Sequence, residues 1–194
     1  LTLIFLHLVR ADIDWPVRYV SDFANGPYGS LFLIAVLIHG VGNLALAIGL
    51  FKCFESHPLR EWASFLYGTA AVILFGSAAF GMFVAGIFPI DPSGSPLSPI
   101  GFTHEVATVI SFPLELAALF LFSIAFSRSS NWHKQGVFSL VLSVFAAISL
   151  LIFFVTALVD WMPGFGERIA FVSFLLWELS ISWYLIRKPE KLII

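Results

Sequence analysis

The residues with chemistry to offer are polar side chains inside long apolar runs. His39 and Asn43 lie four apart and so share one face of a helix. Counting from the outer end of each run at the helical rise, His39 lies roughly 12 Å deep, Glu178 about 15 Å and Glu115 about 16 Å, with Ser77 at a similar level. Ionisable groups are costly in hydrocarbon and turn toward a bundle interior. Four runs therefore bring polar groups to one depth. Two kinds of chemistry suit such a group. One is a buried hydrogen-bond cluster that fixes helix packing, with a protonated acid bonded to His39 or Ser77. The other is a polar pocket for a lipid head group, a quinone-like ligand or a proton, in which Trp177, beside Glu178, could line the ligand. No HxxxH or HExxH spacing is present, and no metal site is expected.

A second constellation falls at run ends: Asp22, Asp91, His104, Glu105 and Arg168. A histidine, carboxylates and an arginine at one membrane surface suit an enzyme acting on lipid head groups. His104 would be its general base or a ligand to a divalent cation, Asp22 and Asp91 its partners, and Arg168 the holder of a phosphate. The same residues suit a latch in which Arg168 pairs with Asp22 or Asp91 and ties the loops together. His104 is expected to open a helix, with Thr103 as its N-cap.

The elements that must position these residues follow from composition. Of 194 residues 59% are hydrophobic and 11% charged, against about 45–50% and roughly 25% in soluble domains. That places the chain in the membrane class and excludes a nucleic-acid partner; membrane lipids, and a larger membrane complex, are the partners expected. Apolar runs cover 31–51, 64–87, 104–126, 136–158 and 168–186. Each is long enough for the roughly 20 residues a spanning helix needs, and unpaired backbone groups in lipid require helices. Leu1 to Val9 is too short to span and is read as the tail of a span begun upstream. The fold expected is all-α: one domain over 1–194, a compact antiparallel bundle of six transmembrane helices, the first truncated. Between the third and fourth spans, 86–105 carries Pro89, Pro92, Pro96 and Pro99 and must leave the membrane to turn. Lys52, Arg60, Arg128, Lys134, Arg187, Lys188 and Lys191 collect at one end of the bundle, and Asp12, Asp14, Asp22, Asp91, Glu105, Asp160 and Glu167 at the other. The positive-inside tendency then gives a multi-pass protein of the cell membrane with both termini cytoplasmic and acidic loops outward. Trp and Tyr near run ends, Trp15, Trp132, Trp161 and Trp183 among them, are expected as interfacial anchors, and the many Phe as lipid-facing.

Four segments recur in a recognisable order: Arg18-Tyr-Val-Ser-Asp22, Gly86-Ile-Phe-Pro-Ile-Asp91, His104 opening the fourth run, and Gly166-Glu-Arg-Ile169 opening the sixth. The set resembles the six-span membrane proteins of domain-of-unknown-function family 998 and, more distantly, looks like the Frag1/DRAM/Sfk1 group. The resemblance implies a six-helix fold with an outward polar face built from Asp22, Asp91, His104 and Arg168. It implies no established reaction. The chain departs from the pattern at Glu105, where a small residue is expected. The distant group, with its links to lipid remodelling, adds an analogy to a lipid-related role. The function expected is binding of a lipid or prenyl-type ligand, or service as an accessory subunit of a larger membrane complex. The alternatives are the outer-surface enzyme above and a proton-coupled carrier using His39, Glu115 and Glu178.

Overall fold

The computed structural model describes residues 1–55, 62–130 and 132–187. Arg60, Lys188 and Lys191 of the basic set, and the side chains of Cys53 and Trp62, lie outside the described residues. Six α-helices run in order among the described residues: α1 (Thr2–Val9), α2 (Gly29–Glu55), α3 (Trp62–Ile87), α4 (Pro99–Arg128), α5 (His133–Leu158) and α6 (Pro163–Arg187). A 3-10 turn, Val20–Ala24, sits between α1 and α2. The five helices α2 to α6 are long and apolar enough to cross a membrane. The protein is thus a polytopic α-helical membrane protein. Helices consecutive in sequence pack side by side from α2 to α6, as short connections dictate.

α4 begins five residues before His104. Ser98 caps it, accepting from the Gly101 amide at 3.1 Å, and Pro99 takes the first helical position, where its missing N–H costs nothing. Thr103, expected as the cap, lies inside the helix and donates to the Pro99 carbonyl at 2.8 Å. The loop folds back on this cap. Both the Ser98 amide and the Ser98 hydroxyl donate to Asp91 at 2.7 Å. Gly101 stands against the Asp91 carboxylate, where a Cβ would overlap it. The two Ser98 bonds hold the Asp91 carboxyl below its ordinary pKa, opposed by partial burial. A lowered native value means that this clasp contributes stability above the usual carboxylate pKa and loses it as pH falls through the lowered one. Hydrogen exchange at the Gly101 amide, corrected for its intrinsic pH dependence, is therefore expected to quicken below about pH 4. Asp91→Ala should exchange fast at every pH.

The loop between α1 and α2 is organised by two arginines. Arg10, buried, grips Asp12 with two nitrogens at 2.7 and 2.8 Å and donates to the carbonyls of Asn25 and Pro27 at 2.8 and 2.9 Å. Arg18 forks onto Asp22 at 2.9 and 3.0 Å, and Asp22 also accepts from the Tyr19 amide at 2.9 Å, starting the 3-10 turn. Asn25 reaches the Ile90 carbonyl at 3.1 Å, joining this loop to the one before α4.

The core is aromatic. Phe75, Phe112, Phe122, Phe126, Phe153, Phe174 and Trp177 are buried together, although the phenylalanines were expected to face lipid. Lipid is as apolar as a side chain, so burial alone drives little helix association; ring packing and close approach supply it. Phe112 and Phe174 stack at 5.8 Å, and Phe126 stacks on Trp132 at 4.8 Å. Trp132, expected as an anchor, is thus a core residue, whereas Trp15, Trp161 and Trp183 are exposed. Gly81 lies against Ser111 of α4, where a Cβ would overlap the Ser111 hydroxyl, so α3 and α4 approach closely there.

Candidate functional site

At mid-depth three helices meet through polar groups. His39 Nε2 lies 2.9 and 3.2 Å from the two carboxyl oxygens of Glu178, and Asn43 donates to Glu178 at 2.9 Å. The Glu115 carboxyl meets that of Glu178, and Glu115 Oε1 has no partner. Two carboxyl groups bond one another only with a proton between them. Ser77, expected at this level, instead faces outward and bonds the Ile73 carbonyl of its own turn at 2.9 Å. Trp177 is fully buried among Phe75 and Phe122, its indole N–H 3.4 Å from Ser123. Its surroundings are those of a core residue rather than of a cavity wall.

At the acidic end the structure separates the residues grouped by sequence. Asp22 is taken by Arg18 and Asp91 by Ser98. Arg168 pairs with neither carboxylate, so the latch expected of it does not form. Its Nε donates to His7 of α1 at 2.8 Å, and its Nη1 donates to the carbonyls of Arg18 and Gly164, each at 2.8 Å. It works beneath the loops as a strut. His104 is buried, and its Nδ1 lies 2.8 and 2.9 Å from the carbonyls of Ala85 and Phe88 at the end of α3. Carbonyls only accept, so in the neutral ring Nδ1 carries the hydrogen and Nε2 keeps its lone pair.

Two contiguous cavities open at this end. One, of about 340 Å³, lies under the loops and is lined by Arg18, Asp22, Asp91, Glu105 and Asp160 among others. The second, of about 280 Å³, shares Tyr19, Ile90 and Glu105 with it and continues between α4 and α5. One wall of the second is polar, from Tyr19, Ser21, His104, Glu105 and Glu167; the other is Val109, Phe153, Phe154 and Ala157. Val109 is 56% exposed, so the apolar wall reaches the lipid-facing surface. Below it, a space of about 30 Å³ shares Ser21, His104, Thr108 and Glu167, room for a water. Glu167, buried, is fixed by the Val20 amide, which donates to it. Burial beside acidic neighbours, Glu167 first among them, raises the Tyr19 phenol above its ordinary pKa. Tyr19 thus stays a neutral donor and acceptor at the cavity mouth.

Of the four outer residues singled out from the sequence, Asp22 and Asp91 line the first cavity, His104 lines the second, and Arg168 lines none of the three spaces. Sequence reasoning did not single out Tyr19, Ser21, Thr108 and Glu167 as site residues. Three of these lie inside or beside the ordered motifs, within Arg18–Asp22 and next to Arg168, which is where they could have been sought.

The family model described as "Protein of unknown function (DUF998)" matches residues 1–184. The chain belongs to DUF998. Both cavities and all four ordered motifs of this DUF998 protein fall within the matched residues. No curated protein and no solved structure matches the chain.

Proposed function

We propose that this DUF998 protein binds a membrane lipid or prenyl-type ligand in the cavity between α4 and α5, with the ligand's head at the acidic rim and its tail leaving past Val109. The observation that carries this reading is the division of one cavity into a polar wall and an apolar wall that opens sideways to lipid. Sites for small molecules run to about 300–1,000 Å³ and combine apolar lining with a few polar groups; the two contiguous spaces suit that description. Pro113 within α4 adds to it. Lacking an N–H, it leaves the Val109 carbonyl without its helical donor at the level of the cavity.

Orientation belongs to the same proposal. Arg128, Lys134 and Arg187 lie at the opposite end from the cavities, and Arg187 sits over the Trp183 ring at 4.2 Å. This is the arrangement of a cytoplasmic face in the cell membrane, with the ligand reached from the outer leaflet. A second reading, a lipid-modifying enzyme with His104 as base, is favoured by one observation, the unshared Nε2 beside the cavity. Arg168 does not serve it: its Nε and Nη1 are held by His7 and two carbonyls, and it lines none of the three spaces.

The test is lipid retention. The protein is purified from membranes in mild detergent and its bound lipid extracted and quantified. Val109→Trp, which fills the apolar exit without touching the polar wall, should cut retained lipid at least about tenfold, a loss of about 1.4 kcal/mol in binding. Equal retention by Val109→Trp and by a lipid-facing control, Ile73→Trp, would overturn the reading.

A further inference from the structure

The charges around the two cavities select a ligand class, an inference that rests on the proposed binding function. Carboxylates dominate the lining: Asp22, Asp91, Glu105, Asp160 and Glu167. Among the described residues the one basic side chain in that lining besides His104 is Arg18, and both its nitrogens facing Asp22 are already committed. Arg168, the residue best suited to a phosphate, lines none of the spaces.

Acidic lining alone would describe a solvated rim. A second observation is independent of charge. His104 is 6% exposed; its Nδ1 is held by two carbonyls, while its Nε2 has no partner among the described residues. That free acceptor opens on the wall of both the 280 Å³ cavity and the water-sized space below, where a ligand's donor can reach it. The carbonyls of Ala85 and Phe88 fix the ring so that its acceptor side is the free one.

We infer that the head group bound here is a hydrogen-bond donor without net negative charge, an ammonium or a hydroxyl, received by His104 Nε2 and the neighbouring carboxylates. A phosphate or carboxylate head meets a lining dominated by carboxylates, and the nearest cation, Arg18, already has its Nε and Nη2 on Asp22. The head group donates to His104, Tyr19 and Glu105 stand at the rim, and the tail follows Val109 and Phe154 out between α4 and α5.

The experiment uses the full chain in nanodiscs and three probes with identical dioleoyl tails: phosphatidylethanolamine, diacylglycerol and phosphatidic acid. Retention is read by native mass spectrometry. The ethanolamine and hydroxyl heads are expected to be retained about tenfold over phosphatidic acid. His104→Asn keeps a side-chain N–H to offer the Ala85 and Phe88 carbonyls but removes the far-side acceptor. It should erase the preference while leaving thermal stability near that of the parent. Phosphatidic acid retained as well as, or better than, the other two would overturn the inference while leaving lipid binding intact. A preference unchanged in a folded His104→Asn variant would also overturn it. Retention of none of the three probes would instead defeat the binding function on which the inference rests. If His104→Asn fails to fold, Glu105→Lys decides: placing a cation at the shared rim should invert the head-group order, and an unchanged order overturns the inference.

Discussion

Glu178→Leu is expected to destabilise the bundle by about 2–4 kcal/mol. Glu178 accepts from both His39 and Asn43 at 2.9 Å, and Asn43 is buried. Leucine keeps the volume and the apolar fit but leaves two donors and the Glu115 carboxyl in a medium with no water to receive them. Each orphaned buried group costs about 1–3 kcal/mol. Polar contacts in membranes average nearer 0.6 kcal/mol in double-mutant cycles because the unfolded helices also find partners, which sets the expectation below the simple sum. The cost comes from the groups left behind, so removing them should undo it. The triple variant His39→Leu, Asn43→Leu, Glu178→Leu is expected to recover part of the loss, with only the Glu115 carboxyl left behind, as happens when buried polar partners are replaced together by apolar residues. Denaturation of the purified protein in mixed detergent micelles measures both. A triple variant less stable than Glu178→Leu alone would show that the cluster contributes net stability to the fold.

Gly166→Ala is the second large effect, expected at about 1–3 kcal/mol. A Cβ there would overlap the Thr156 hydroxyl and stand 2.8 Å from the Phe153 Cα, backbone that cannot swing aside. α5 and α6 would have to part at the depth where Phe153 and Glu167 wall the cavity. Gly76→Ala is the control, because a Cβ at Gly76 meets nothing within 4 Å. Alanine is the better helix former by about 1 kcal/mol at either position, so Gly76→Ala should be neutral or mildly stabilising. The difference between the two variants isolates the steric cost. Equal effects at Gly166 and Gly76 would mean that α5 and α6 are not in the contact described.

The spans were legible because hydrocarbon imposes a length and a composition that 20-residue windows reveal. Depth was legible too: equal counts from the run ends brought His39, Asn43, Glu115 and Glu178 together. Azimuth was not. α2, α4 and α6 are apolar on nearly all sides, so no amphipathic stripe marks an inward face. A count along α3 likewise gives depth without direction, and Ser77 was placed inward when it faces out; Trp132 lies just before α5 and was taken for an anchor when it stacks in the core. Arg168 was misassigned for a different reason. Its partners are His7, Arg18 and Gly164; two of the three contacts are with backbone carbonyls, which every residue has and no sequence pattern advertises. The start of α4 was readable in retrospect: Ser98-Pro99 is a cap followed by a first-turn proline, a stronger signal than Thr103-His104.

The central claim is that lipid enters the protein between α4 and α5. A lipid with a photoreactive group at the tail end tests it most directly, by mapping where label attaches after irradiation of the reconstituted protein. The account expects adducts concentrated on Val109, Phe153 and Phe154. Label spread evenly over outward residues such as Ile73 and Ile148, with none enriched at the cavity, would contradict it.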